Sequence, residues 1–261
     1  MEFAKIASIV DTVPFISKKN ARVLYEFILR ERPQKILELG IAHGTATCYM
    51  AAALQEIGDG KITCVDLIEA KEMFQPAAEE QLKNTGLLGF VEIVRMQSGY
   101  TWFLHDEIKR NTTDGQCREI YDLCIIDGPK NWTIDGAAFF FVDKLLKKNG
   151  WIIFDDYNWT YALAETRREA TDGITHRSLS TEEKEMPHIK EIFELLVTQH
   201  PNYSNFVLMQ DSEWALAQKT ANDQKQYTTE YLESYKDIIA KAFHFAYRYY
   251  RARKSKFHDK G

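Results

Sequence analysis

The chain reads as an α/β protein: a seven-stranded, mostly parallel sheet with a C-terminal β-hairpin, helices on both faces, and extra N-terminal and C-terminal helices. Three observations predict it. From residue 35 onward short β-rich runs alternate with helix-length segments, the pattern of βαβ units in a parallel sheet. Two later runs are split only by Asp211-Ser212, which makes them a hairpin rather than another crossover. An apolar content of 45% over 261 residues is ample for one large packed core.

In chain order, Met1 to Arg32 is expected to form two helices, with Val23, Leu24, Phe27, Ile28 and Leu29 as an apolar face that caps the sheet or the site entrance. Lys35–Gly40 is the first strand and leads through Gly40 and Gly44 into an Ala-rich helical segment, Thr45–Ile57. The next strands are Lys61–Leu67, Val91–Gln97, Tyr121–Asp127 and Trp151–Asp156, followed by the hairpin Asn205–Gln210 and Glu213–Gln218. Between Tyr157 and Met186 lies a long polar stretch with Trp159, Tyr161, Arg167, Arg168, His176 and Arg177, a length typical of a lid or a disordered loop. Tyr227, Tyr231, Tyr235, Ile239, Phe243 and Tyr247 recur every four residues on a helix expected to run to about Lys256. The sheet is complete without this aromatic stripe, so the stripe is expected to pack on a second subunit or over the site. The organisation is therefore an N-terminal helical cap (1–34), a core (35–219) and a C-terminal basic aromatic helix (220–261).

Composition narrows the function classes. The formal net charge of −5 is unevenly spread: residues 241–261 hold seven Lys/Arg against Asp259, a net of +6, so the other 240 residues carry −11. No aromatic-basic recognition motif accompanies the basic tail, so nucleic acid is not the expected partner. A homo-oligomer through the C-terminal helix is. Glu2, Lys5 and Asp11 argue against a signal peptide, and apolar runs such as Ala137 to Val142 are far too short to span a bilayer. The expected setting is cytoplasmic, with no membrane partner. Cys48, Cys64, Cys117 and Cys124 show no Cys-x-x-Cys spacing, so neither a disulfide framework nor a zinc site is indicated.

The first strand ends at a loop suited to a cofactor. Glu38 precedes Gly40 by two residues, and Gly40-x-x-x-Gly44 opens the helix at Thr45. Glycine tolerates positive φ and lacks the side chain that would block a ligand, while the helix start offers free amides. The backbone serves here, so His43 is read as a loop residue and not as a catalyst. Asp66, ending the second strand, is placed to accept hydrogen bonds from both ribose hydroxyls of a nucleoside cofactor. The spacing is not the Gly-x-Gly-x-x-Gly of dinucleotide enzymes.

Further acids stand at later strand ends: Asp127 in Ile125-Ile126-Asp127-Gly128-Pro129-Lys130, and Asp155 and Asp156 in Phe154-Asp155-Asp156-Tyr157. In the expected strand order the two strands are neighbours. Three carboxylates at one sheet edge repel each other unless a cation sits among them. Magnesium suits that need, because it takes oxygen ligands and keeps positions open for water or substrate.

The glycine loop resembles the S-adenosylmethionine (SAM) loop of class I methyltransferases, whose Rossmann-like seven-stranded sheet it would share over roughly Ala21 to Lys219, making 35–219 a SAM-binding methyltransferase core. The acid pattern is similar to that of metal-dependent O-methyltransferases of the catechol type and of the antibiotic-sugar O-methyltransferases. These pair an acid at the fourth strand end with Asp-Asn or Asp-Asp at the fifth, and the match falls on Asp127, Asp155 and Asp156 as metal ligands. The resemblance implies cofactor contacts from Glu38, Gly40, Ala42, His43, Gly44, Thr45, Thr47, Asp66, Ser98 and Asp127, with Ser98 near the adenine. A serine common in the family is replaced by Ala46, so Thr45, Thr47 or the helix N-terminus would meet the methionine carboxylate; Met96 stands where a small residue is usual near the adenine. Lys130, three residues after Asp127 as in the catechol type, would be the general base, with Asp127 beside it as a catalytic group. A base must be neutral, and an adjacent metal with partial burial is expected to lower its pKa. The sugar enzymes use a carboxylate in this loop, where Pro129 stands here.

The implied function is SAM-dependent, Mg2+-dependent O-methyl transfer to a small molecule with adjacent oxygens, a phenol or a sugar. Trp132, Trp159 and Tyr161 are candidate walls for it. Two other readings use the same residues: a cephalosporin hydroxylase-like enzyme, and a non-catalytic SAM- or nucleotide-binding scaffold.

Overall fold

The computed structural model describes residues 1–164, 170–174, 177–222 and 235–258. Its elements run, in chain order, α1 (Phe3–Val10), α2 (Lys18–Glu31), β1 (Lys35–Leu39), α3 (Thr45–Ile57), β2 (Lys61–Leu67), α4 (Ala70–Met73), α5 (Ala78–Thr85), β3 (Val91–Met96) and α6 (Tyr100–Asn111). A short ribbon follows, β4 (Thr112–Thr113) with β5 (Gln116–Cys117). Then come β6 (Tyr121–Ile126), α7 (Trp132–Leu145), β7 (Leu146–Phe154), α8 (Tyr161–Ala164), α9 (Thr181–Glu185), α10 (His188–Ile192), β8 (Tyr203–Met209), β9 (Trp214–Lys219) and α11 (Tyr235–His258). The chain divides into two units, 1–222 and 223–261.

The larger unit carries the expected sheet, ordered β3-β2-β1-β6-β7-β9-β8. β3, β2, β1, β6 and β7 pair in parallel, while β9 is antiparallel to both β7 and β8. A parallel sheet covered on both faces is apolar on both, and the alternation of side chains sorts each strand between two cores. Ile36, Ile62, Leu123, Ile125 and Ile153 point to the side packed by α1, α2 and α3. Leu37, Leu39, Val65, Cys124, Ile126, Ile152 and Phe154 point to the side packed by α6, α7 and α10. The N-terminal helices form as expected: Ser17 caps α2 by accepting from the Asn20 amide, and Leu24, Phe27 and Ile28 are buried, with Val23 and Leu29 partly so.

Several boundaries differ from the sequence reading. β7 starts at Leu146 rather than Trp151, with a register shift against β6 between the Leu146 and Trp151 pairs, and stops at Phe154 because Asp156 turns left-handed (φ 60). Asp127, Asp155 and Asp156 therefore lie just past their strands. The stretch 157–186 is not a bare loop: it holds α8, a Thr171–Ser178 bridge, and α9 with a Ser180/Glu183 capping box. Arg167, Arg168 and His176 lie outside the described residues. All four cysteines are free thiols. Among the described residues no helix is long and apolar enough to cross a membrane.

The described residues of the smaller unit form α11. Tyr227 and Tyr231 lie outside the described residues, while Ile239, Phe243 and Tyr247 are exposed on it, as are Ile238, Phe245, Tyr249 and Tyr250.

Candidate functional site

Strand order reverses between β1 and β6, so a crevice opens at their carboxyl ends, where ligands bind in open α/β sheets. Both sides of this crevice are built from residues singled out in the sequence. β1 leaves the sheet through Gly40, at φ +88, and passes so close to β6 that a Cβ there would lie 2.2 Å from the Asp127 carbonyl oxygen. No other residue type fits. Gly44 (φ +74) caps α3 and packs against Ala78, so Ile41, Ala42 and His43 form a tight turn leading into the helix amides.

Asp66 secures this turn. One carboxylate oxygen accepts from the Ile41 and Ala42 amides at 3.0 Å each, and the other from Leu67 at 2.7 Å. Glu38 is 2% exposed; its Oε2 accepts from Thr47 Oγ1 at 2.6 Å and from Cys64 Sγ at 3.0 Å. Burial raises its pKa to about 7; the two hydrogen bonds oppose that shift and the Asp66 charge adds to it. Thr45 donates to the Pro14 carbonyl at 3.4 Å, so both threonine hydroxyls are engaged within the chain, leaving the α3 N-terminus as the group facing outward. His43 is buried between the rings of Phe15 and Phe74, with Nδ1 3.0 Å from the Pro76 carbonyl, which agrees with a loop role. Ser98 is exposed just beyond β3.

Across the crevice, one oxygen from each of Asp127, Asp155 and Asp156 lies within 4.8 Å of the others. Lys130 stands among them. It is 2% exposed, adopts φ 61, pairs with Asp127 Oδ1, and holds Nζ 3.5 Å from Asp155 Oδ2 and 3.4 Å from Asp156 Oδ2. Burial would lower the amine's pKa, but the three carboxylates outweigh it and raise it. This corrects the expectation of a lowered pKa: in this arrangement Lys130 is an ammonium. Three carboxyl groups offer an oxygen donor set that fits a divalent cation, and burial pushes the Asp127 carboxyl well above the ordinary carboxylate range against the opposing pull of the Lys130 charge.

A buried polar network, not evident from the sequence, fixes the Lys130 loop. Asn131 caps α7 through the Thr133 and Ile134 amides, and its own amide donates to Asp135 Oδ2 at 2.7 Å. The Tyr100 hydroxyl donates to Asp135 Oδ1, and the Tyr161 hydroxyl to the Pro129 carbonyl at 3.0 Å. Tyr161 is thus a buttress rather than a wall. The cleft beside the acids has a cavity volume of about 40 Å3 and is lined by Phe15, Leu24, Glu38, Asp127, Asp155 and Trp214 among others. Trp132 and Trp159 do not line it.

The model of a family described as a methyltransferase domain matches residues 37–157, from β1 to just past the acid cluster. Solved structures share the fold at low identity. An O-methyltransferase from Bacillus cereus in complex with SAH is 16% identical, with a TM-score of 0.56 over 83% of this chain and 90% of that one. The O-methyltransferase TomG from Streptomyces achromogenes, in complex with SAM, is 16% identical, with a TM-score of 0.53 over 84% and 89%. The SAH-bound methyltransferase PaMTH1 of Podospora anserina is 16% identical, with a TM-score of 0.53 over 83% and 87%. No curated protein sequence matches the chain.

Proposed function

From the premise that residues 37–157 form a methyltransferase domain within a class I SAM-dependent methyltransferase fold, we propose that the protein methylates an oxygen of a small molecule with adjacent oxygens, assisted by Mg2+. The observation that carries this reading is that the Glu38–Gly44 loop after β1 and the acids after β6 and β7 meet at neighbouring strand ends: Gly40 lies against Asp127, and Glu38, Ala46, Asp127 and Asp155 line one cleft. Solved structures of this fold in complex with SAM or SAH lend support on the cofactor side.

In this reading the Gly40–Gly44 backbone and the Thr45–Thr47 start of α3 hold the methionine end, with Glu38 beneath it. Asp66 faces the ribose and Ser98 the adenine edge. Asp127 adjoins both cofactor and acceptor. A divalent cation held by Asp127, Asp155 and Asp156 would polarise two neighbouring acceptor oxygens. With the carboxylate charge balanced by that cation, the Lys130 ammonium would release its own proton to solvent, and Nζ would then accept the acceptor's proton. The new oxygen–carbon bond forms in line as the sulfur–carbon bond breaks, and SAH leaves. Ile16, Leu24, Ile125 and Ile153 exclude water from the cleft.

Incubation with SAM and a panel of catechols, phenols and sugars should yield SAH, be abolished by EDTA and be restored by Mg2+. Full turnover in EDTA would remove the metal and keep the methyltransferase. No SAH with any acceptor, despite SAM binding, would favour the scaffold or hydroxylase-like readings. We also infer, from the exposed aromatic and aliphatic residues of α11, that the protein self-associates through that helix; light scattering on a chain ending at residue 222 should then show a lower oligomer mass. The free cysteines accord with a cytoplasmic setting.

A further inference from the structure

One residue outside the matched domain reaches the acid cluster. In the antiparallel pairing of β7 with β9, Phe154 faces Ala215, so the next residue, Asp155, comes level with Trp214. Trp214 is 7% exposed, and its indole N–H donates to Asp155 Oδ1 at 2.6 Å. The other oxygen, Oδ2, lies 3.5 Å from Lys130 Nζ. Asp155 and Trp214 both line the cleft. The turn before Trp214 is tied to the end of β7: Glu213 is left-handed (φ 55) and its carbonyl accepts from the Tyr157 amide at 2.8 Å.

Asp155 shares its corner with two other carboxylates, and mutual repulsion favours rotation of its side chain towards water. A buried donor on one oxygen opposes that rotation and leaves the second oxygen aimed into the cluster. Outer partners of this kind commonly set the orientation of metal-binding carboxylates. We propose that Trp214 is a positioning residue for the methyl-transfer site, committing Asp155 Oδ1 so that Oδ2 is presented to the cation and the acceptor. The inference rests on the O-methyltransferase reading for its consequence, but the contact itself does not.

Trp214→Phe keeps a six-membered ring against the cleft and removes the N–H donor together with the five-membered ring that carries it. In the full chain with 15N-labelled indoles, the Trp214 resonance, identified by its loss in Trp214→Phe, should exchange slowly and move in Asp155→Asn. Trp214→Phe should bind SAH within about two-fold of wild type, yet lose about 10-fold or more in Mn2+ affinity measured by electron paramagnetic resonance. With an acceptor in hand, kcat should fall while its KM hardly changes. An indole resonance indifferent to Asp155→Asn, or a Trp214→Phe protein with wild-type Mn2+ affinity and kcat, would overturn the proposal. If wild type binds no Mn2+, the cation assignment fails by itself, and the indole resonance with the kcat and KM comparison still decides Trp214.

Discussion

Lys130→Met is expected to lower turnover by about two to four decades, the span covered by loss of a positioned proton-transfer group. SAH affinity should change little, because Lys130 follows β6 and its ion pairs run to Asp127, Asp155 and Asp156 rather than to the glycine loop. Methionine has nearly the same reach but no charge, so the variant also strips the acid cluster of its only internal cation among the described residues. Removing one member of a buried ion pair costs about 3 kcal/mol or more, which should appear as a lower midpoint of urea unfolding in chelator and recover in part with Mg2+. Near-normal turnover in a folded variant would return proton removal to an Asp of the cluster or to solvent. A loss of SAH binding equal to the loss of turnover would instead make Lys130 a structural strut.

Glu38→Gln should change how stability depends on pH. The folded-state pKa of Glu38, about 7, is raised above its ordinary value of 4.5, chiefly by burial. The folded protein therefore holds this proton more tightly than the unfolded chain does. Its contribution is fully present below about pH 4.5, declines as pH rises, and is lost above about pH 7. Gln cannot ionise, so relative to the variant, ligand-free wild type should lose up to about 3 kcal/mol between pH 4.5 and 8. Groups common to both proteins cancel in that difference. Parallel urea-denaturation stabilities across this range would show that Glu38 ionises normally, through water reaching it from the cleft. Where the cofactor's ammonium or sulfonium group lies near Glu38, binding should offset this cost, so SAH should protect wild type more at pH 8 than at pH 5.5.

Much of this molecule is written in local patterns. The alternation along Ile36-Leu37-Glu38-Leu39 and Leu123-Cys124-Ile125-Ile126 needs no partner to be read, because period two and apolar content describe a strand buried on both faces wherever it lies. Gly40 and Gly44 announce a turn that side chains cannot make, and acids at successive strand ends announce one crowded corner. What stayed hidden depends on atoms distant in the chain. Thr47 looked available to a ligand until Glu38 and Cys64 were seen to enclose it. Tyr161 resembled a pocket wall until its hydroxyl met the Pro129 carbonyl. Lys130 resembles a general base by its place three residues after Asp127, but its protonation depends on which charges surround it, and those come from two strands and a left-handed turn. Trp214 read as one more strand residue, because only the register of β9 against β7 brings its N–H to Asp155. Periodicity and turn chemistry act over a few residues and survive in one dimension; hydrogen-bond partners and local fields are sums over neighbours in space, which exist only once the chain has folded.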